Sequence, residues 1–516
     1  MKGEVHIKDD YIVLGDMKDY SELSFSKPRR ALFKIKRFFT KKLPMSCKNF
    51  FSKIPLTLKK IGGKIINPFK VLKDALVYGT WQTKLSFVLM GSGLIFKKRI
   101  AKGILYFVFE IVFILFFSLF GWKYLSNLGA LGTKTPTEVW DANKGVYIKI
   151  AGDNSMLILL YSVITIISIL GFIYTWYRNI KESFETEQIQ NINGQFLSSK
   201  EELKTYLNSN YHVTLMFGPM LGLIVFTIVP LFFMIFIAFT SWDKASMPPE
   251  HLFTWVGTQN FDILLGGKGM GENAAFAYTF YDALLWTLLW AFFATFTNFF
   301  LGMVVALLIN KKSIKLKKLW RTILITSIAV PQFVSLMLVS SMFGRGGIGP
   351  WLLNQIGINN TFAQSTIFAR IFVIVINIWV GIPYTVLSTT GILMNVPNDL
   401  YESAKIDGAS PFKMYTSITL PYIMFVMGPY LISQFVGNIN NFNVIFLLTG
   451  GVPVNSDKFI AGDTDLLITW LYKLTVNENN YKMASTIGII VFIVVAFISL
   501  IFYSKTSSVK NEGDFN

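Results

Sequence analysis

Residues 283–309 read ALLWTLLWAFFATFTNFFLGMVVALLI, residues 311–321 read KKSIKLKKLWR, and residues 323–343 read ILITSIAVPQFVSLMLVSSMF. Two apolar runs flank a short loop that holds Lys311, Lys312, Lys315, Lys317, Lys318 and Arg321. A run of about 20 apolar residues crosses a hydrocarbon core of about 30 Å as a helix, because only internal hydrogen bonds satisfy a backbone in lipid. Lys and Arg in a short loop hold that loop on the cytoplasmic side. The stretch therefore predicts two membrane helices joined in the cytoplasm.

The same length criterion finds about eight such runs. They are Ile104 to Trp122, Leu157 to Tyr177, Val213 to Thr240, Ala283 to Ile309, Ile323 to Phe343, Ile367 to Ser388, Tyr422 to Phe446 and Ala484 to Tyr503. The predicted fold class is all-α, a polytopic membrane protein. An even number of spans puts both termini inside, which agrees with roughly two dozen Lys and Arg before the first span. The segment 344–364 carries a single Arg and is expected outside, as is the loop with Asp457, Asp463 and Asp465.

Composition points the same way. Of 516 residues, 53% are hydrophobic, which no ordinary soluble domain matches. Only 15% are charged, yet the net charge is +18, a bias that suits anionic lipid. The basic residues crowd the ends of apolar runs and form no nucleic-acid-binding module, so no nucleic acid partner is expected. Cys47 is the sole cysteine and excludes an intrachain disulfide. No cleavable signal peptide is expected, because the first long apolar stretch begins after about a hundred residues.

Catalytic apparatus is missing. His6, His212 and His251 lack ligand spacing, so no metal site is expected. The cluster Gly344, Gly346, Gly347 and Gly349 lacks the Lys-Ser/Thr ending of a phosphate loop. The chain is expected to be no enzyme and to carry no cofactor; if ATP drives it, ATP and Mg sit on another subunit.

Four regions follow. Residues 1–100 are a basic cytoplasmic region, in which Arg29 to Lys60 is either an amphipathic helix on the inner leaflet or a basic tail that only fixes topology. Trp81 to Phe96, apolar but shorter than a span, reads as an interfacial approach helix. Residues 101–205 hold two spans, 206–506 a six-span core with a conspicuous loop at 397–421, and 507–516 a cytoplasmic tail. Glu110 is the one acid well inside a span, and it is expected to snorkel or to pair with Lys102.

The loop reads Tyr401-Glu402-Ser403-Ala404-Lys405-Ile406-Asp407-Gly408-Ala409-Ser410-Pro411 and continues to Ile418-Thr419-Leu420-Pro421. Asp399 and Glu402 have capping-box spacing, Gly408 suits a left-handed helix stop, and Ser410-Pro411 suits the start of the next helix. A short helix protruding into the cytoplasm is predicted. These residues resemble the binding-protein-dependent permeases of ABC importers, which carry a Glu-Ala-Ala followed by a Gly at this place; here Ser403 replaces one Ala. The resemblance implies that Glu402, Ser403, Ala404, Asp407 and Gly408 couple the chain to an ATP-binding cassette ATPase dimer. It extends to Pro230–Trp242, Val256-Gly257, Asn260-Phe261, Leu301-Gly302, Asn440-Asn441-Phe442, 461–467 and 468–474. Two extra spans before the core resemble the larger membrane subunit of maltose and maltodextrin importers. That implies a second homologous permease and an extracytoplasmic sugar-binding protein as partners, and an oligosaccharide as cargo moved by alternating access. The loop between the third and fourth spans is short, so a large extracytoplasmic domain there is not expected, and Val452 interrupts a usual Gly-Gly-Pro.

A cargo site is also legible. Asn377, Gly381 and Tyr384 are spaced to share one helix face, as are Gln434, Asn438 and Asn441. Amides offer donors and acceptors without charge, and Tyr384, with Trp379 as a second candidate, suits the apolar face of a sugar ring. Buried amides also serve simply to hold spans together at about 0.6 kcal/mol per bond. The resemblance adds Val380 and implies sugar contacts at Asn377, Val380, Gly381, Tyr384, Gln434, Asn438 and Asn441. Gln434 and Ile328 replace a Ser and a Tyr of the maltose proteins. The alternatives are a permease for another solute, disfavoured by the uncharged faces, and an ion-coupled transporter, for which Glu110 is the only candidate acid.

Overall fold

The computed structural model describes residues 68–141, 145–193, 204–205, 207–208, 210–266, 271–311, 313–344, 346–357 and 363–503. The expectations for Arg29 to Lys60, Cys47 and the tail at 507–516 lie outside the described residues. The chain divides into two units, Met1–Gly79 and Thr80–Asn516. Of the first unit, 68–78 is helical.

The second unit begins with two short helices, α1 (Trp81–Leu85) and α2 (Ser92–Phe96), before the long α3 (Ile100–Leu125) and α4 (Ser155–Asn193). The single approach helix expected over 81–96 is thus replaced by a reversal. Gly91 turns it with φ +81°, and a Cβ there would stand 1.9 Å from the carbonyl oxygen of Gly103. Polar fastenings hold the reversal against α3 and α4. Asn179 accepts from the Gly91 N–H at 2.9 Å and donates to the Ser86 carbonyl at 3.1 Å. Lys97 is 1% exposed and donates to Thr83 Oγ1, to the Ser183 carbonyl and to Glu187. A buried ion pair is tolerated when its remaining hydrogen-bonding capacity is satisfied, and here it is. Glu110 belongs to the same fastening. It is buried and accepts from the Met90 N–H at 2.8 Å, while Lys102 pairs with Glu182 at 2.7 Å. The expected Glu110–Lys102 pair is corrected, because the chain reversal brings a backbone donor to Glu110 first.

Between α3 and α4 the chain forms an antiparallel hairpin of β1 (Thr137–Asp141) and β2 (Val146–Ile150), with Trp140 paired to Tyr147. It is the only β-sheet among the described residues, beside two isolated bridges, Thr240–Trp255 and Val454–Gly462.

The core is built from α5 (Tyr211–Ile237), α6 (Gln259–Gly266), α7 (Glu272–Asn310), α8 (Lys317–Ala329), α9 (Gln332–Phe343), α10 (Ile348–Gln355) and α11 (Thr366–Met394). Then follow α12 (Asn398–Ile406), α13 (Pro411–Ile439), α14 (Phe442–Leu448), α15 (Leu467–Tyr472) and α16 (Tyr481–Tyr503). Seven helices are long and apolar enough to cross a membrane, and α8 with α9 makes an eighth, bent by 85°. The bend falls at Val330-Pro331, where Pro lacks an N–H and disfavours helix in the residue before it. The fifth apolar run is therefore two half-length helices rather than one straight rod.

α7 packs along α11 and α13. Small residues permit the close approach: a Cβ on Gly302 would stand 2.5 Å from Thr385 Cβ, and one on Gly381 would stand 2.3 Å from Asn298 Nδ2. Toward one end, Trp286, Trp290, Phe372 and Val444 form a buried cluster; toward the other, Phe299, Met303, Ile423 and Met427 form a second. The polar residues of α7, α11 and α13 lie between them.

The loop 449–466 is pinned to α7 by an ion pair and to α11 by hydrogen bonds that Thr366 and Arg370 donate to Asp463. Lys458, 3% exposed, contacts Asp282 at 2.6 Å and Asp463 at 2.7 Å. Arg370 reaches Asp282 at 3.0 Å, and Lys473 reaches Asp465 at 2.6 Å. Burial alone would raise the pKa of Asp463, but hydrogen bonds from Lys458, Thr366 and Asn455 and the Lys458 charge outweigh it and hold the carboxyl below its ordinary range. A carboxyl depressed in the folded state stabilises the fold above its unfolded pKa, about 3.9, and loses that contribution as pH falls through the folded value. The hydrogen-exchange protection of the Asp463 amide, which donates to the Pro453 carbonyl, taken relative to its intrinsic rate at each pH, should stay high at neutral pH and fall below about pH 4. Asp463→Asn should remove that pH dependence; its persistence would contradict the assignment.

Candidate functional site

A cavity of about 280 Å³ opens where α7, α11 and α13 meet near the start of α9. Its walls include all seven residues singled out in the sequence: Asn377, Val380, Gly381, Tyr384, Gln434, Asn438 and Asn441. No Asp, Glu, Lys, Arg or His lies among the lining residues.

Each wall follows from local sequence. On α11, Asn377, Gly381 and Tyr384 recur at helical spacing and face one way, with Asn377 5% exposed and Tyr384 open to the cavity. On α13, Gln434 and Asn438 do the same. Asn441 does not belong to that helix, contrary to the spacing argument. α13 ends at Ile439, and Asn441 instead caps α14, its Oδ1 accepting from the Val444 N–H at 3.3 Å. It still reaches the cavity because its Nδ2 donates to Asn438 Oδ1 at 3.3 Å. Asn438 Nδ2 in turn donates to Thr295 Oγ1 at 2.9 Å, and Trp290 Nε1 donates to the Asn438 carbonyl at 3.1 Å. This chain of bonds fixes the α13 wall on α7.

The third wall, on α7, was not read from the sequence. Ala294, Thr295, Asn298 and Phe299 line it, with Gln332, Tyr430, Leu431 and Thr385 completing the cavity. Thr295 and Asn298 sit three residues apart in a run of Phe, Leu and Thr, and that pair of polar residues at helical spacing was the available signal. Trp379 is absent from this lining and lines an adjoining, mostly apolar cavity of about 530 Å³ between α8, α9 and α11, which shares Gln332, Val380 and Tyr384 with the first. Ile328 lines neither cavity.

The second candidate site is the loop 397–421. α12 is a free-standing helix with Glu402, Ser403 and Asp407 exposed. Gly408 takes φ +71°, and Ser410 Oγ accepts from the Lys413 N–H ahead of Pro411. The expected acidic cap is not formed. Pro397 takes the N-cap position, so α12 starts at Asn398 and Asp399 falls inside the first turn. A carboxylate there still favours the positive end of the helix. Tyr401 is hydrogen-bonded to Thr419 at 2.8 Å, which ties α12 to the first turns of α13. Ile406 is 86% exposed and Phe412 76%, so the loop presents two large apolar side chains beside its acids. Among the described residues, Glu402 has no side-chain partner. No cluster of His, Cys, Asp and Glu suited to a metal is found among the described residues.

The family of binding-protein-dependent transport system inner membrane components matches residues 298–505, which take in α8 to α16 and the C-terminal part of α7. A galactooligosaccharides transport system permease of Bacillus subtilis is 32% identical over 434 residues, covering 82% of this chain and 97% of the relative. A maltodextrin transport system permease of Streptococcus pneumoniae is 31% identical over 430 residues, covering 81% and 94%. Among solved structures, a chain of a bacterial ABC transporter involved in the import of the acidic polysaccharide alginate superposes with a TM-score of 0.47 and 22% identity, covering 60% of this chain and 98% of that one.

Proposed function

Because the chain belongs to the sugar ABC importer permeases, the binding-protein-dependent family, we propose that it is the larger membrane subunit of an importer for a neutral oligosaccharide. Cargo crosses by alternating access, and ATP hydrolysis in a partner ATP-binding cassette dimer drives the cycle. The observation that carries this reading is the uncharged, amide-lined cavity between α7, α11 and α13. Sugar hydroxyls donate and accept, as amides do, and Tyr384 and Tyr430 offer ring faces for a pyranose. The relatives named for galactooligosaccharides and maltodextrin support an oligosaccharide as cargo.

In this reading a binding protein delivers the sugar, and a second, homologous permease completes the cavity. α12 fits a groove on the ATPase, with Glu402 as its charged contact and Gly408 as the turn. ATP binding then moves α12, and Tyr401 passes the movement to α13 through Thr419. The Lys-rich loop 311–321 and both termini face the cytoplasm, as the positive-inside rule predicts. Sugar and ATP bias the outward and inward states only by their different affinities for them. An ion-coupled mechanism draws no support, because Glu110, its one candidate acid, is engaged by the Met90 backbone.

The test is ATP hydrolysis by the assembled importer with its binding protein. Maltotriose or a β-1,4-linked galactotriose should stimulate it, whereas phosphate and free amino acids should not. Stimulation by a charged solute alone would overturn the neutral-sugar reading.

A further inference from the structure

We infer that Asn298, together with Asn377, reads one hydroxyl group of the transported sugar and so sets which hydroxyl pattern the cavity accepts. The inference rests on the transport reading above and deepens it.

Two polar atoms at the cavity are covered and have no hydrogen-bond partner: Asn298 Oδ1 and Asn377 Nδ2. One is an acceptor on α7, the other a donor on α11, and both residues line the cavity. Asn377 is 5% exposed. Leaving such groups unpaired in a buried place is costly, so their retention calls for a partner that arrives with the cargo. The two other asparagines of the wall are already engaged, Asn438 with Thr295 and Asn441 with Asn438. Free amide capacity in the buried part of the wall is therefore concentrated at Asn298 and Asn377.

Their placement suits a single group. The Asn298 amide lies against Gly381, where an added Cβ would meet its Nδ2 at 2.3 Å and its Oδ1 at 2.8 Å. Gly381 is one helical turn from Asn377 on the same face, about 5–6 Å along α11. A hydroxyl donates one hydrogen bond and accepts others, so it satisfies an acceptor and a donor at once. A carboxylate only accepts and would face Asn298 Oδ1 unfavourably. An ammonium only donates and would leave Asn377 Nδ2 unpaired. Gly381 acquires a reason beyond helix packing: it is the residue that leaves room for the Asn298 amide.

The experiment measures uptake by the reconstituted importer, with its binding protein and ATPase. The substrates are a trisaccharide and a panel of analogues, each lacking one hydroxyl, built on whichever of maltotriose and β-1,4-galactotriose the wild type carries. The wild type should discriminate against one analogue by about tenfold or more in kcat/KM, the effect of one unpaired buried group. Asn298→Leu should raise KM for the full sugar by a similar factor and abolish discrimination at that one hydroxyl only. Gly381→Ala, which displaces the amide without removing it, should give the same loss of discrimination. Unchanged KM and unchanged discrimination in Asn298→Leu would overturn the inference, as would a fall in Vmax with KM and the panel profile intact, the signature of helix packing alone. Gln434→Leu separates the levels. If it raises KM while Asn298→Leu does not, only this inference fails. If neither variant changes KM, or the wild type carries neither sugar, the transport reading fails with it.

Discussion

Glu402→Lys should leave the chain inserted and folded while sugar uptake falls by roughly 30- to 4,000-fold. The range comes from the cost of losing one partner of an interfacial charge pair, about 2–5 kcal/mol, at 1.4 kcal/mol per decade. Folding should tolerate the change because Glu402 is exposed on α12 and, among the described residues, has no intramolecular partner. The helix also tolerates it, since Glu402 lies beyond the acidic first turn that favours the helix start. Co-purification of the ATPase with the variant, scored against membrane-inserted protein, separates detachment from failed insertion. Wild-type uptake with wild-type ATPase recovery would remove the proposed coupling role of α12.

Asn438→Leu should raise KM for sugar uptake by tenfold or more and lower the maximal rate with it. The residue works at both ends: its Nδ2 holds Thr295 on α7, and its Oδ1 receives Asn441 at the start of α14. An isobutyl group leaves both partners unsatisfied beside the cavity, at about 1–3 kcal/mol for each buried group. It also puts an apolar surface where a sugar hydroxyl would lie. Thr295→Val tests the dissection. It breaks only the link to α7 and leaves the Asn438 amide free for solute, so its effect on KM should be the smaller one. Equal effects of the two variants would mean that Asn438 acts only as a strut.

Much of this architecture is legible in the sequence. Span length and the Lys-rich loop determine the helical plan, because lipid leaves the backbone no alternative. The α11 stripe of Asn377, Gly381 and Tyr384 was readable because a helix repeats every 3.6 residues, and α11 runs unbroken through all three. The same periodicity failed at Asn441, where the chain leaves α13 and Asn441 begins a new helix. Trp379, named in the sequence only as a second ring for a sugar, follows that periodicity: side chains three or four residues apart share a face, and a neighbour two positions from Asn377 does not. Glu110 and the 81–96 reversal were hidden for a different reason. Their partners, Met90, Asn179 and Glu187, are distant in sequence, and no local pattern announces a long-range hydrogen bond. Asn260 shows the converse. It stood out as a resembling residue, and the structure gives it a fastening role, donating to the Ala238 and Thr240 carbonyls at 2.8 and 2.9 Å. The uncharged α7 wall was the main omission, since Thr295 and Asn298 look unremarkable in a phenylalanine-rich run until α11 is laid against them.

The most direct measurement is accumulation of labelled oligosaccharide inside proteoliposomes that hold the binding protein and this chain, with and without the ATPase and second permease. The account predicts uphill accumulation only with the complete assembly and ATP, unaffected by collapsing proton and sodium gradients. Accumulation by this chain without a nucleotide-hydrolysing partner, driven by an ion gradient, would contradict it.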